Sequence, residues 1–326
     1  MRMRTTLRAA LIPAVLTAAV MTMPSAFAAP LSPEPPTMTP SIVGGGQATE
    51  TYSFMGSLQS NGNHGCGASL VQAQWMVTAA HCVTDQQGRQ LPASQFRVRV
   101  GSTSTSSGGT LAAVSQVVRH PSYTGQVGPG DIAMLRLSSA VPGAPITIDD
   151  SSPAAQTATR LIGFGQTCPQ QGCGGASPTL KQLDTRINPD SLCAQGFNAS
   201  SELCVYSTTS QTACYGDSGG PAVVQVDGAW RLVGATSRAG QNSGTCGTGN
   251  ATIYTDVTAY RQWVESTIGG GGPGEPPGCS VAAWNPGVQY PPGSTVSHQG
   301  YVWRAMTWTY GQPPGATFAW QAIARC

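Results

Sequence analysis

The chain has 326 residues, enough for two or three domains, and only 9% of them are charged, for a formal net charge of +2. Beyond Arg2, Arg4 and Arg8 there is no basic run, which excludes the electrostatic footprint of a nucleic-acid binder. Ten cysteines, an even number with no C-x-x-C or H-E-x-x-H spacing, point to disulfides in an oxidising compartment, so no metal site and no cofactor are expected.

Residues 1–28 read as a signal peptide, with three arginines, an apolar stretch over 9–21 and a small-residue cleavage site at Ala26-Phe27-Ala28. Residues 29–41 are rich in Pro and Thr, cannot bury a core and read as a pro-segment. From 42 to 268, strand-length stretches alternate with Gly, Ser and Asn. Residues 75–80, 160–164, 230–236 and 252–257 are apolar or β-branched runs, and 96–100 (FRVRV) alternates with period two. Many short strands between turns predict a β-sandwich or barrel, and periodicity leaves both open. A helical pattern over 257–268 puts Val257, Tyr260, Trp263, Val264 and Ile268 on one face. Residues 269–278 (GGGGPGEPPG) have nothing to pack and read as a linker. The last segment, 279–326, begins and ends with cysteine and holds four of the seven tryptophans.

Three stretches carry chemistry. His81 ends a strand-like run from Trp75 into a turn anchored by Cys82, and Asp131 opens an apolar run to Leu137 behind Gly128-Pro129-Gly130. Ser218 stands in Gly216-Asp217-Ser218-Gly219-Gly220-Pro221. A serine hydroxyl is a poor nucleophile until a neighbouring base takes its proton. Histidine can do that near neutral pH and later return the proton, and a buried carboxylate can fix its tautomer. In residue type, flanks and order, these stretches resemble the His, Asp and Ser motifs of the chymotrypsin-like, trypsin-fold serine proteases secreted by bacteria, over residues 42–268.

The resemblance implies an all-β protein of two antiparallel six-stranded β-barrels with a C-terminal helix. It implies a secreted, extracellular serine endopeptidase that cleaves protein or peptide substrates through an acyl-enzyme, with His81, Asp131 and Ser218 as catalytic triad. The amides of Gly216 and Ser218 would form the oxyanion hole, with glycine at 216 letting substrate approach the backbone closely. Ile42-Val43-Gly44-Gly45 is similar to the family's mature N-terminus, whose freed α-amine would pair with Asp217. The resemblance also implies the pairs Cys66–Cys82, Cys193–Cys204 and Cys214–Cys246, while Cys168 and Cys173 suit a small surface loop. The first of these closes a loop worth ~3 kcal/mol in the chain-entropy model. At the base of the specificity pocket, six residues before the nucleophile, stands uncharged Thr212, so a preference for Arg or Lys is not expected. Ala239 and Thr252 at the walls favour small or medium uncharged side chains, and Arg238 stands where the family usually has an aromatic residue.

In the last segment, Trp284, Tyr290, Trp303, Trp308 and Trp320, with intervening glycines, resemble the chitin-binding modules appended to bacterial chitinases. That implies a small β-rich module over 279–326 that binds chitin or a related polysaccharide. A domain this short can bury little core, so a Cys279–Cys326 staple is expected. Trp284, Tyr290, Trp303 and Trp320 are expected in the core, and Trp308 and Tyr310 on the binding face, with Thr307 where the family often has another Trp. A rival reading is a protease-fold adhesion or binding protein of weak activity. The complete triad argues against it, because inactive relatives usually lose His or Ser. After signal removal the protein is expected to have no membrane association and to be a monomer.

Overall fold

The computed structural model describes residues 42–193, 196–241, 243–269, 281–298, 301–315, 317 and 319–325. The expected signal peptide (1–28), the pro-segment (29–41), nearly all of the linker (269–278) and the Cys279–Cys326 staple lie outside the described residues.

After a two-residue strand, β1 (Gly46–Gln47), come β2 (Met55–Ser60), β3 (Asn63–Gln72), β4 (Trp75–Thr78), β5 (Phe96–Val100), β6 (Thr110–Arg119) and β7 (Ala133–Leu137). Strands β2 to β7 close into a six-stranded antiparallel barrel in the order β2-β3-β4-β7-β6-β5. The period-two pattern of β5 has its predicted effect: Phe96, Val98 and Val100 are buried while Arg97 is exposed. Met55, Leu58, Leu70, Met76, Met134 and Leu135 fill the interior around them.

The second half is built from β8 (Thr147–Ile148), β9 (Ala158–Gly163), β10 (Lys181–Arg186), β11 (Glu202–Tyr206), β12 (Pro221–Val226), β13 (Ala229–Ala239) and β14 (Ala251–Asp256). With β1 they make an eight-stranded sheet, ordered β1-β10-β9-β12-β13-β14-β11, in which β8 pairs with β13. The expectation of two closed barrels is therefore corrected: one barrel closes, and the second sheet stays open. Closure would require β10 to ladder onto β11. Their backbones pair only beyond the end of β10, through the Ile187–Val205 bridge and the Asn188 N–H on the Cys204 carbonyl at 2.7 Å, while within β10 the Thr185 hydroxyl donates to the Tyr206 carbonyl at 2.7 Å. Pro189 follows, and without an N–H it cannot extend the ladder.

The C-terminal helix α1 (Arg261–Ile268) buries Trp263 and Val264. It is shorter than the predicted 257–268 pattern. Asp256 Oδ1 accepts the Thr258 N–H at 2.9 Å and its hydroxyl at 2.6 Å, so 257–260 form a turn that still buries Val257. No helix among the described residues is long and apolar enough to cross a membrane.

In the segment 281–325, strands β15 (Gln289–Tyr290) and β18 (Thr309–Tyr310) pair, as do β16 (Thr295–His298), β17 (Tyr301–Ala305) and β19 (Trp320–Arg325) in that order. Val296, Ala305, Ala319 and Trp320 form its small core, with Trp284, Tyr290 and Trp303 packed against it. Trp308 is 61% exposed and Tyr310 66%, on either side of buried Thr309.

Candidate active site

The two sheets meet backbone to backbone. The Gly67 N–H, on β3, donates to the Ser218 carbonyl at 2.7 Å. A Cβ on Gly219 (φ +73°) would lie 2.2 Å from Thr78 Oγ1 and 2.6 Å from the Gly67 carbonyl. Only glycine fits there, and this close approach brings the loop carrying Ser218 against the end of β4, where the chain turns into a short 3₁₀ helix, Ala80–Val83, that carries His81. A disulfide from Cys82 to Cys66 on β3 anchors that helix.

Asp131 lies two residues before β7, behind a turn whose Gly130 has φ +84° and no room for a Cβ beside Ser122. Its carboxylate is fully buried and satisfied. Oδ1 accepts the His81 backbone N–H at 2.9 Å, and Oδ2 lies 2.8 Å from His81 Nδ1 and accepts the Ser237 hydroxyl at 2.6 Å. Thr255 Oγ1 donates to the Asp131 carbonyl at 2.8 Å, tying the residue to β14. Burial alone pushes the carboxyl pKa up, but the His81 charge and these hydrogen bonds outweigh it and hold the group below the usual carboxylate range. An ionised Asp131 requires Nδ1 of His81 to carry its proton, which leaves Nε2 free to accept one.

His81 and Ser218 line one cleft of about 690 Å³, together with Tyr215, Gly216 and Arg238. Their side chains are not hydrogen-bonded to each other, a looseness common in ligand-free sites. Gly216 has φ +93°. Its carbonyl is 2.9 Å from His64 Nε2, and His64 Nδ1 is 2.8 Å from Ser57 Oγ.

Behind the cleft, Asp217 is fully buried. Oδ1 accepts the Gly165 N–H at 2.8 Å and Oδ2 the Cys214 N–H at 2.9 Å. Burial outweighs these two donors and pushes its pKa up to about 7. Ile42 is also buried, among Leu161, Leu183 and Tyr254, and Val43 pairs with Thr212.

A smaller cavity of about 110 Å³ adjoins Ser218 and is lined by Ala213, Ala239, Thr252 and Cys246. Thr212 lies behind this lining, with Oγ1 3.0 Å from Thr252 Oγ1 and donating to the Ala213 carbonyl at 2.8 Å. Of the three pocket residues expected from sequence, the structure thus brings Ala239 and Thr252 to the cavity and sets Thr212 beneath them. Arg238 forms a salt bridge with buried Glu202 and donates to the Gly196 carbonyl at 3.2 Å. The described disulfides are Cys66–Cys82, Cys168–Cys173, Cys193–Cys204 and Cys214–Cys246. Among the described residues, the group close enough to hold a metal is Cys66, His81 and Cys82, and its two sulfurs are bonded to each other.

Sequence reasoning missed three partners: Ser237 on Asp131, His64 on Gly216, and Gln166, whose N–H donates to the Tyr215 carbonyl at 2.8 Å. The one hint was the position of His64 two residues before Cys66, in the strand tethered to the His81 turn.

Comparison with known proteins agrees with this geometry. The family model described as Trypsin matches residues 42–264. Trypsin alpha-4 of Lucilia cuprina is 34% identical over 248 residues, covering 71% of this chain and 91% of the relative. Trypsin alpha of Drosophila melanogaster is 33% identical over 69% of this chain and 87% of its own length, and a trypsin of Sarcophaga bullata 31% identical over 69% and 88%. With a fold of one closed barrel, one open sheet and a C-terminal helix, and with a cleft that joins a histidine–carboxylate pair to a serine, the chain belongs to the trypsin family of serine endopeptidases.

Proposed function

We propose that the protein is a secreted endopeptidase in which His81, Asp131 and Ser218 form the catalytic triad, tethered to an insoluble polysaccharide through residues 279–326. The carrying observation is the His81–Asp131 pair facing the Ser218 cleft. Ser218 Oγ attacks the scissile carbonyl while His81 Nε2 takes its proton. The oxyanion forms against the amides of Gly216 and Ser218, and His81 then protonates the leaving amine. One water, deprotonated by His81, hydrolyses the acyl-serine and restores the enzyme. Asp131 orients the imidazole and stabilises its charged form, the established division of labour in this family.

Maturation releases the α-amine of Ile42 to pair with Asp217. Two features support this step. A buried carboxylate without a cation is costly. Ile42 also has φ +46°, which strains a β-branched residue by about 1–3 kcal/mol and is constrained only while a preceding carbonyl is attached. No Arg or Lys precedes Ile42 in Pro40-Ser41, so a trypsin-type activator is not expected.

The relatives are named trypsins, but a charged pocket base is not part of this chain. Uncharged Thr212 beneath the cavity, with Ala239 and Thr252 at its walls, favours a small or medium uncharged residue before the scissile bond. The tethering ligand is chitin or a related polysaccharide. The exposed rings of Trp308 and Tyr310 favour this reading, since sugar C–H faces stack on open aromatic faces, and tethering raises local enzyme concentration. Ser218→Ala tests the triad: turnover should fall by several orders of magnitude with the fold intact, and unchanged hydrolysis would refute it.

A further inference from the structure

The Tyr215–Gly216 peptide is held from behind the cleft. Its carbonyl accepts the Gln166 backbone N–H at 2.8 Å. In a trans peptide the C=O and N–H point in opposite directions. Fixing the carbonyl on Gln166 therefore turns the Gly216 N–H the other way, towards the cleft lined by Ser218. Gln166 is itself pinned. Its side chain is buried, and the two N–H groups of its amide face two carbonyls, Cys168 O at 2.8 Å and Gln170 O at 2.7 Å. Both belong to the small loop closed by the Cys168–Cys173 disulfide. That loop also accepts the Cys246 N–H on the Pro169 carbonyl at 2.9 Å, and Cys246 is bonded to Cys214, two residues before Gly216.

We infer that Gln166 is a positioning residue for hydrolysis: its side-chain amide, anchored on the Cys168–Cys173 loop, fixes in place the backbone N–H that holds the peptide whose Gly216 N–H meets the oxyanion. The inference rests on the oxyanion hole proposed above. Hydrogen bonds weaken steeply as donors leave line, and loss of one oxyanion donor costs about 10²–10³ in kcat. Loosening the peptide forfeits part of that, roughly tenfold or more.

Gln166→Glu keeps the size of the side chain and removes both donors, turning a carboxylate towards two carbonyls. The matured variant is assayed on a chromogenic peptide anilide, with kcat counted per titrated active site, and against a peptide boronate whose tetrahedral adduct places an oxygen in the hole. The expected result is a kcat lowered at least tenfold, an unchanged KM, and boronate affinity weakened by the same factor as kcat/KM. A Cys168→Ala/Cys173→Ala variant should show the same signature, and it decides the question if Gln166→Glu does not fold. Wild-type kcat per site and wild-type boronate affinity would overturn the inference, even with a lowered Tm, because a merely structural brace changes stability alone. Failure of the underlying reading shows separately, as hydrolysis that survives Ser218→Ala.

Discussion

Asp217 makes the precursor and the mature enzyme distinguishable by pH. The carboxyl titrates near 7 in the folded chain against an ordinary 3.8, with burial as the main cause and no cationic partner among the described residues. A raised acid binds its proton more tightly when folded. Its contribution to stability is therefore fully present below pH 3.8 and is lost as pH rises through 7. At about 1.4 kcal/mol per pH unit over that window, the loss is roughly 4 kcal/mol. On the maturation proposed above, the freed α-amine of Ile42 would supply the missing cation and remove that loss until the amine itself deprotonates. The perturbation is a Ser218→Ala protein prepared in two forms, one retaining residues 29–41 and one with Ile42 as the N-terminal residue. Urea denaturation of both forms from pH 4 to 8 reads the effect. The longer form should lose stability relative to the shorter as pH rises, by an amount on the order of that 4 kcal/mol. Parallel curves for the two forms would refute the ion-pair argument.

Profiling the mature enzyme on a peptide library should give a small or medium uncharged residue before the cleaved bond, since the cavity beside Ser218 is walled by Ala239 and Thr252 above an uncharged Thr212; a clear preference for Arg or Lys would contradict this. Arg238→Ala leaves the Glu202 carboxylate buried without its partner and should destabilise the fold by about 3–5 kcal/mol in denaturant titration. Trp308→Ala should lower retention of the full chain on insoluble chitin while leaving hydrolysis of a soluble peptide unchanged; undiminished retention would exclude that ring from the binding face.

Local chemistry was legible in the sequence wherever a residue and its immediate neighbours carry the signal. FRVRV alternates because a strand does, and residues 96–100 form a strand that buries alternate side chains. Ser218 could be singled out because its glycines are required within two residues of it. In the last segment, Trp320 lies in the small core while Trp308 and Tyr310 are exposed. What the sequence could not supply depends on partners distant in the chain. Ser237 meets Asp131 across 106 residues and His64 meets Gly216 across 152, and no local pattern encodes either contact. Strand propensity likewise says nothing about closure. Residues 158–256 read as strands equally well in a barrel or an open sheet. The outcome turns on the pairing of β10 with β11, which as a backbone ladder reaches no further than the Ile187–Val205 bridge and exists only once the sheet has assembled.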